Sequence, residues 1–154
     1  MNKINSTLFK IAMSKFATGI TVISMNKKNE YFGKTVNSFS SLSIKPPLVL
    51  FSLDENSSSI KEYTERTFLG INILSNKQKN ISQHFSKKQP KWNDTKFFLT
   101  QKNTPMIEDS LVNIHCQINK KIKQGDHIIF ICKVIDVLIN NKKNPLIYLN
   151  SNYV

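Results

Sequence analysis

The chain has 154 residues, 40% of them hydrophobic, which suits one globular domain over residues 1–154 with a single core. Its formal net charge of +12 comes from 22 basic residues against 10 acidic ones. The lysines are scattered and Arg66 is the only arginine, which argues against nucleic-acid binding, although a positive field would favour anionic small molecules such as nucleotides.

The N-terminal segment has no apolar stretch of the kind that forms a signal-peptide core. No apolar run in the sequence approaches the roughly 20 residues that a membrane-spanning helix needs. We therefore expect a cytoplasmic protein that makes no contact with a membrane.

The first third of the chain reads as a helix followed by a β-hairpin. Apolar side chains recur at helical spacing over residues 6–17, with Ser6 as the expected N-cap. A segment rich in β-branched residues, 19–25, predicts a strand, and a turn at 27–29 leads to a partner strand over 31–35.

The middle of the chain combines strands with short helices. The continuous apolar run at 48–53 predicts a strand buried on both faces. Ser59 and Glu62 match a capping box, which predicts a short helix over 59–66.

A second strand and helix follow. Residues 68–74 read as a strand, and Ser75 is expected to cap a helix that ends at Phe85. The polar residues 86–104 are expected to form a long loop.

The last third is rich in strand patterns. Residues 111–119 alternate between apolar and polar, 124–126 form a turn, and 127–139 read as a long central strand before a final short one at 145–149. Many antiparallel strands with few helices indicate a mainly β protein, of the barrel type.

The sequence predicts no metal site. Cys116 and Cys132 lie in apolar strand patterns and are expected to be buried, reduced thiols. His84 and His115 are expected to be structural, because no Cys-x-x-Cys or His-Glu-x-x-His motif occurs.

Two polar segments, 35–38 and 56–59, bracket the apolar strand predicted over 48–53. The second follows a strand and opens a predicted helix, where unpaired backbone N–H groups and serine hydroxyls bind phosphate readily. The first offers amide and hydroxyl groups to the edge of a flat ring. Each segment also has a plainer interpretation, as a solvent-exposed serine cap and a polar turn. Together they suit a ligand with an aromatic head and an anionic tail.

The order of these motifs resembles the flavin reductase-like family, whose members bind FMN or FAD in a split β-barrel. The residues that carry the resemblance, besides the stretch 33–59, are Phe16-Ala17-Thr18-Gly19-Ile20-Thr21-Val22-Ile23, Phe68-Leu69-Gly70-Ile71-Asn72-Ile73-Leu74, Gln83-His84-Phe85, Gly125-Asp126-His127 and Leu146-Ile147-Tyr148. The resemblance covers nearly the whole chain and implies an FMN-binding split barrel of Greek-key-like antiparallel strands.

The resemblance also implies which residues bind the flavin. Those expected along the ring and the ribityl chain are Thr35, Val36, Asn37 and Ser38. Those expected at the ribityl and phosphate end are Ser52, Asn56, Ser57 and Ser58. Phe85 is expected to pack near the cofactor, and His127 is the expected catalytic residue, at the flavin face where the nicotinamide docks.

His127 also has a plainer interpretation, because it directly follows a hairpin turn. A role in orienting the nicotinamide suits it better than a role as a base, since hydride transfer removes no proton from the carbon donor. No Gly-x-Gly-x-x-Gly motif occurs, and the resemblance implies that the nicotinamide nucleotide lies on the flavin instead.

The sequence departs from the family pattern at two places. Asp54-Glu55-Asn56 stand where relatives often carry a basic residue, so that loop supplies no cation for a phosphate. Lys34 and Val36 stand where small or apolar residues are common.

The main hypothesis is a flavin reductase that transfers a hydride from NADH or NADPH to FMN, or to FAD, and supplies reduced flavin to a separate monooxygenase component. The resemblance further implies a homodimer. One alternative is a flavin-binding electron carrier without nicotinamide turnover. The other is a non-enzymatic β-barrel that binds nucleic acid through its lysines.

Overall fold

Strands are the commonest secondary structure in the computed structural model, which describes residues 4–154. The first three residues of the predicted domain 1–154 lie outside the described residues. The helices are α1 Ser6–Ser14, the 3₁₀ helix Ile60–Glu62 and α2 Lys79–Phe85. The strands are β1 Thr18–Gly19, β2 Thr21–Lys27, β3 Glu30–Val36, β4 Ser40–Ser43, β5 Leu48–Asp54, β6 Phe68–Ile73, β7 Phe97–Leu99, β8 Pro105–Ile107, β9 Val112–Gln124, β10 His127–Ile139, β11 Ile147–Leu149 and β12 Asn152–Tyr153.

Seven strands form the main sheet in the order β3-β2-β6-β9-β10-β5-β4, and neighbouring strands run antiparallel. A smaller sheet contains β1, β11 and β12, and β7 pairs with β8. The mainly β fold with antiparallel strands and short helices, predicted from the sequence, is confirmed. No helix within residues 4–154 has the length and apolar character needed to cross a bilayer.

Two tight turns fix the registers of the hairpins. Lys28 and Asn29 adopt φ values of 53° and 66° between β2 and β3, so the turn predicted at 27–29 is confirmed. Gly125 adopts a φ of 62° between β9 and β10, where Gln124 and His127 are paired. The absence of a side chain on Gly125 makes this left-handed conformation inexpensive.

The apolar interior has two clusters, which β2 joins because its alternate side chains point to opposite faces. Ile23 belongs to the first cluster and Val22 to the second. The first contains three packed aromatic rings, of Phe51, Tyr63 and Phe130. The second contains the aromatic side chains that support the candidate site.

Helix α1 differs from its prediction at both ends. Its N-cap is Asn5 rather than Ser6, because the Asn5 side chain accepts a hydrogen bond of 2.8 Å from the Leu8 N–H. It ends at Ser14, before the predicted end at 17. None of its side chains is buried, so its apolar face has no partner within the described chain.

The prediction of a helix over 59–66 is wrong, because the segment forms only one turn of 3₁₀ helix, Ile60–Glu62. Tyr63 leaves the helical path and is fully buried against Phe51 and Phe130, and Arg66 adopts a left-handed φ of 66°. Burial of a large aromatic side chain outweighs the preference of the Ser59 capping pattern.

The second predicted helix begins later than expected. Ser75 does not cap it: the Ser75 N–H donates to the Gln78 side chain in a turn, and α2 starts at Lys79. The helix ends at Phe85, as predicted.

Some polar segments hold more structure than their composition indicates. The loop predicted over 86–104 contains β7 and the buried Trp92, and the serine-rich segment 40–43 forms β4. The strand predicted over 48–53 is present, but only one of its faces is fully buried.

Strand β9 is longer than predicted, and both of its faces are covered near its start. The polar side chains of Asn113 and His115 are buried as well as the apolar ones. Cys116 and Cys132 are buried and free, as predicted. A hydrogen bond between their side chains, together with burial, raises the pKa of the Cys116 thiol, so it stays protonated.

Candidate functional site

Two adjoining cavities lie where β3 meets the loops that follow β5 and α2. We name the first the strand cavity; it measures about 280 Å³ and is lined by residues of 30–34, 58–59 and 88–90. We name the second the serine cavity; it measures about 220 Å³ and is lined by Lys34, Leu53, Asp54, Asn56, Ser57, Ser58 and Lys88. They share Lys34, Ser58 and Lys88, so they are neighbours.

The loop after β5 presents its serines to the serine cavity. The Asp54 carboxylate accepts a hydrogen bond of 2.7 Å from the Asn56 N–H, which closes a tight turn. The Ser58 hydroxyl donates a bond of 2.6 Å to the Lys88 carbonyl, so it joins this loop to the loop after α2. The Ser57 hydroxyl oxygen is buried and has no hydrogen-bond partner among residues 4–154.

Lys34 and Lys88 supply positive charge where the two cavities meet. Neither forms an ion pair with a carboxylate of the described residues. The Lys34 ammonium group lies 3.5 Å from the Ser86 carbonyl, across the groove between β3 and the segment after α2. Positive charge is therefore present at the serine cavity although residues 54–56 include no basic side chain.

The predicted ring-binding residues occupy different environments. The Ser38 hydroxyl donates to the Ser52 carbonyl at 2.8 Å and accepts from the Ser52 N–H at 3.0 Å, so these two predicted residues are together. The Thr35 hydroxyl donates to the Ser82 carbonyl at 2.7 Å and so faces α2. Val36 is a core side chain, and Asn37 is exposed.

Phe85 is fully buried beneath β3, against Gly33 and Trp92. A Cβ atom added to Gly33 would lie 2.4 Å from the Phe85 ring, so the ring and the strand backbone are in direct contact. The structure therefore places Phe85 behind the wall of the strand cavity rather than on its surface.

Strand pairing brings His127 close to the loop after β5. It lies opposite Asp54 in the register of β5 and β10, and the Glu55 N–H donates to the Asp126 carbonyl at 3.0 Å. The His127 Nδ1 atom lies 2.7 Å from the Asp126 carboxylate. Their hydrogen bond, with its charge attraction, lowers the pKa of Asp126, so this carboxylate is ionised and can orient the imidazole ring.

Reasoning from the sequence did not identify Lys88, Gln89 and Pro90, which line the strand cavity. They stand in a segment predicted to be a loop, and only the packing of that segment against β3 brings them to the site. The Lys87-Lys88 pair shows positive charge in this segment, but no local sequence pattern connects it with residues 56–59.

The residues present fit a flavin phosphate. A buried hydroxyl without a partner costs free energy, and an anion oxygen accepting its hydrogen would remove that cost. Two lysines without carboxylate partners stand beside it. Within residues 4–154, no cluster of three or more His, Cys, Asp or Glu side chains could hold a metal ion.

Comparisons with known proteins point to the same chemistry. The sequence profile of the family described as "Flavin reductase like domain" matches residues 13–154. FMN reductase (NADH) SmoA of Agrobacterium fabrum is 33% identical over 131 residues, which cover 85% of this chain and 75% of SmoA.

Two further relatives match over almost the whole chain. HsaB, the reductase subunit of a flavin-dependent monooxygenase of Mycobacterium tuberculosis, is 30% identical over 154 residues, covering 98% of this chain and 82% of HsaB. The structure of flavin reductase PheA2 in its native state matches with a TM-score of 0.88 at 34% identity, covering 98% of this chain and 97% of PheA2.

Proposed function

Because the chain belongs to the family of flavin reductase-like domains, we propose that residues 1–154 form one domain that transfers a hydride from NADH to a flavin. The predicted family and the split-barrel fold are confirmed. SmoA is named as an enzyme that uses NADH and FMN, which supports NADH as the hydride donor here.

One observation carries this proposal: the buried Ser57 hydroxyl, which has no hydrogen-bond partner among residues 4–154, lines the same cavity as Lys34 and Lys88. Asp54, which also lines that cavity, is the partner of His127 in the register of β5 and β10. A cavity with these groups, one strand away from an imidazole, suits a phosphorylated ring ligand and a nicotinamide docking on it. In the proposed site, bound flavin supplies the ring that accepts the hydride, and the chain supplies binding and orientation.

Each part of the site then has its own task. Ser57, Lys34 and Lys88 hold the phosphate, while Ser38 and Ser52 fix the strand ends that border the ring. His127, held by the ionised Asp126, orients the nicotinamide so that its hydride-donating carbon approaches the ring. Phe85 supports Gly33 from behind, which keeps the β3 backbone in place beneath the ligand.

The test is a turnover assay with purified protein. We expect oxidation of NADH, followed by its absorbance, to require added FMN or FAD. No flavin-dependent oxidation of NADH, with NADPH also inert, would contradict the proposal.

The walls of the serine cavity favour a flavin that exchanges over one that stays bound. Asn56, Ser58 and Lys88 are all exposed side chains, so the cavity is open on one side. We therefore propose that reduced flavin leaves for a separate monooxygenase component, as the name of HsaB indicates for that protein. If a yellow colour survived gel filtration and NADH were not oxidised, the result would instead favour the alternative function, a flavin-binding electron carrier.

We also propose that the protein is a homodimer that works in the cytoplasm, where NADH is available. Exposed apolar side chains on α1 and just after it, among them Phe9, Ile11 and Phe16, support an interface with a second copy. The end of β10 adds further exposed apolar side chains, such as Leu138 and Ile139. Light scattering that gives a monomer mass at micromolar concentration would contradict the dimer.

A further inference from the structure

The segment 86–91, which follows α2, forms one wall of the candidate site. Lys88 lines both cavities, and its neighbours Gln89 and Pro90 line the strand cavity. Within the described part of the chain, no N–H group of this segment after Lys87 donates to a backbone carbonyl. The segment therefore depends on side chains from other parts of the molecule to hold its shape.

Two side chains hold the middle and the end of this segment. The Ser58 hydroxyl donates to the Lys88 carbonyl at 2.6 Å from the side of the serine cavity. At the end of the segment, the His84 Nε2 atom lies 2.6 Å from the Lys91 carbonyl oxygen. A carbonyl oxygen can only accept, so Nε2 carries the hydrogen and donates it. His84 therefore ties the end of the segment back to α2.

The orientation of the His84 ring is fixed by its neighbour on α2. The rings of His84 and Phe85 meet edge to face, with their centroids 5.1 Å apart and their planes at 89°. His84 lines neither the strand cavity nor the serine cavity, but a separate cavity of about 370 Å³ beside α2. Any effect of His84 on a ligand in the candidate site therefore passes through the segment 86–91.

We propose that His84 is a positioning residue for flavin binding: its hydrogen bond to the Lys91 carbonyl holds the segment 86–91 in its binding shape before the flavin arrives. A segment that is already ordered spares the ligand the entropic cost of ordering it, which raises affinity without a direct contact. This inference rests on the proposed function, because the wall that His84 holds belongs to the proposed flavin site. It adds a task to a histidine that the sequence predicts to be structural.

The rest of the fold does not depend on this hydrogen bond. Phe85 is fully buried just before the segment and Trp92 is buried just after it, so the chain stays anchored on both sides without His84. Loss of the bond should therefore loosen only the residues between these two side chains. A positioning role thus predicts that flavin affinity falls while the melting temperature changes little.

The experiment compares His84→Leu with His84→Gln. Leucine keeps an apolar side chain against Phe85 but has no donor, whereas glutamine carries an amide N–H at the same distance along the side chain as Nε2. We expect the dissociation constants of FMN and FAD to rise about fivefold or more in His84→Leu and less than about twofold in His84→Gln. At saturating flavin, kcat for NADH oxidation should stay within about twofold in both. Gln83→Ala is the matched control, at an exposed neighbour on α2 that lines neither cavity of the site.

Limited digestion with trypsin gives a second readout that needs no turnover. Without a ligand, the peptide bonds after Lys88 and Lys91 should be cut faster in His84→Leu than in the wild type, because the segment is looser. Excess FMN should reduce that difference. If His84→Leu does not fold, His84→Ala, which also lacks the donor, repeats both measurements.

Four results would overturn the inference while leaving flavin binding intact. They are unchanged flavin affinity in His84→Leu, unchanged cleavage of its segment 86–91, equal losses of affinity in His84→Leu and His84→Gln, and a lower melting temperature at normal affinity. If the wild-type protein binds no flavin and its oxidation of NADH does not depend on flavin, the proposed function fails, and this inference fails with it.

Discussion

The hydroxyl of Ser38 both accepts a hydrogen bond from the Ser52 N–H, at 3.0 Å, and donates one to the Ser52 carbonyl, at 2.8 Å. Ser38 follows β3 at one edge of the main sheet, whereas Ser52 lies on β5, near the other edge. One side chain therefore stands in for strand pairing and brings the two ends of the curved sheet together beside the candidate site.

Replacing Ser38 with alanine should open this junction. The Ser52 N–H and C=O would lose their partner while half-buried, so we expect the free energy of unfolding to fall by about 1–3 kcal/mol. Flavin should also bind more weakly. Urea denaturation and flavin titration measure the two effects. Ser40→Ala is the control, because within residues 4–154 that exposed hydroxyl bonds only to the neighbouring Ser41 carbonyl. Equal losses in both variants would contradict the assigned role.

Ser57→Ala should separate stability from binding. The buried hydroxyl has no partner among residues 4–154, so its removal should leave the melting temperature unchanged or raise it. Flavin affinity should fall by about tenfold, because a hydrogen bond to a charged phosphate is worth about 1.5–3 kcal/mol. Differential scanning fluorimetry and titration provide the two readouts. A destabilised variant with normal affinity would show that the hydroxyl serves the fold instead.

His127→Ala should affect hydride transfer more than flavin binding. Loss of orientation at the nicotinamide should slow flavin reduction by about tenfold or more in a single-turnover stopped-flow experiment. The flavin dissociation constant should change by less than about twofold. Asp126→Asn keeps the ring but weakens its hold on Nδ1, so it should show a smaller loss of the same kind. If each variant lowered the rate of flavin reduction and the flavin affinity by the same factor, His127 would not have this role.

Gly33→Ala should destabilise the fold through Phe85. The added methyl group would lie 2.4 Å from two ring carbons of Phe85 and 3.1 Å from Trp92, so a crowded core must shift. Overpacking of this kind costs about 1–3 kcal/mol, measured by chemical denaturation. Phe85→Leu in the Gly33→Ala background should restore part of the loss. Strictly additive losses in the double variant would show that the two positions do not interact.

His115 should make the fold sensitive to mild acid. Burial lowers the pKa of its imidazole, so the unfolded chain binds the proton more readily than the folded one. Stability is therefore complete above the unfolded pKa of about 6.5 and falls as the pH drops towards the lower folded value. Denaturation of His115→Gln should show a shallower decline in the free energy of unfolding between pH 7.5 and the acid range than the wild type. An unchanged pH slope would exclude His115 as the cause.

Local signals in the sequence located several elements correctly. The turn at Lys28 and Asn29 depends on neighbouring residues alone, so the local sequence predicts it, and both residues adopt a positive φ in the structure. The strand predicted over 68–74 and the alternating pattern over 111–119 match β6 and the first part of β9, where most of the side chains are buried. The failure over 59–66 has the opposite cause, since Tyr63 is drawn into a core that is built by distant strands.

The candidate site likewise contains some residues that local sequence predicts and others that only the folded structure brings together. Residues 56–58 follow a buried strand and were found from their order alone, and the structure places them at a cavity. Lys34 and Lys88 reach that cavity only because the segment after α2 packs across β3, which no local pattern encodes. The buried position of Phe85 likewise depends on Gly33, which lies on a strand far from it in the chain.

The pairing of His127 with Asp54 has a consequence for biosynthesis. A nascent polypeptide that has emerged only as far as β5 and the loop after it lacks the strand that pairs with β5, because β10 has not been translated, so the main sheet does not yet hold the candidate flavin site in place. Ligand binding thus stabilises finished molecules selectively, by mass action. Cells short of riboflavin should accordingly contain less of this protein, through faster turnover of empty chains rather than through slower synthesis.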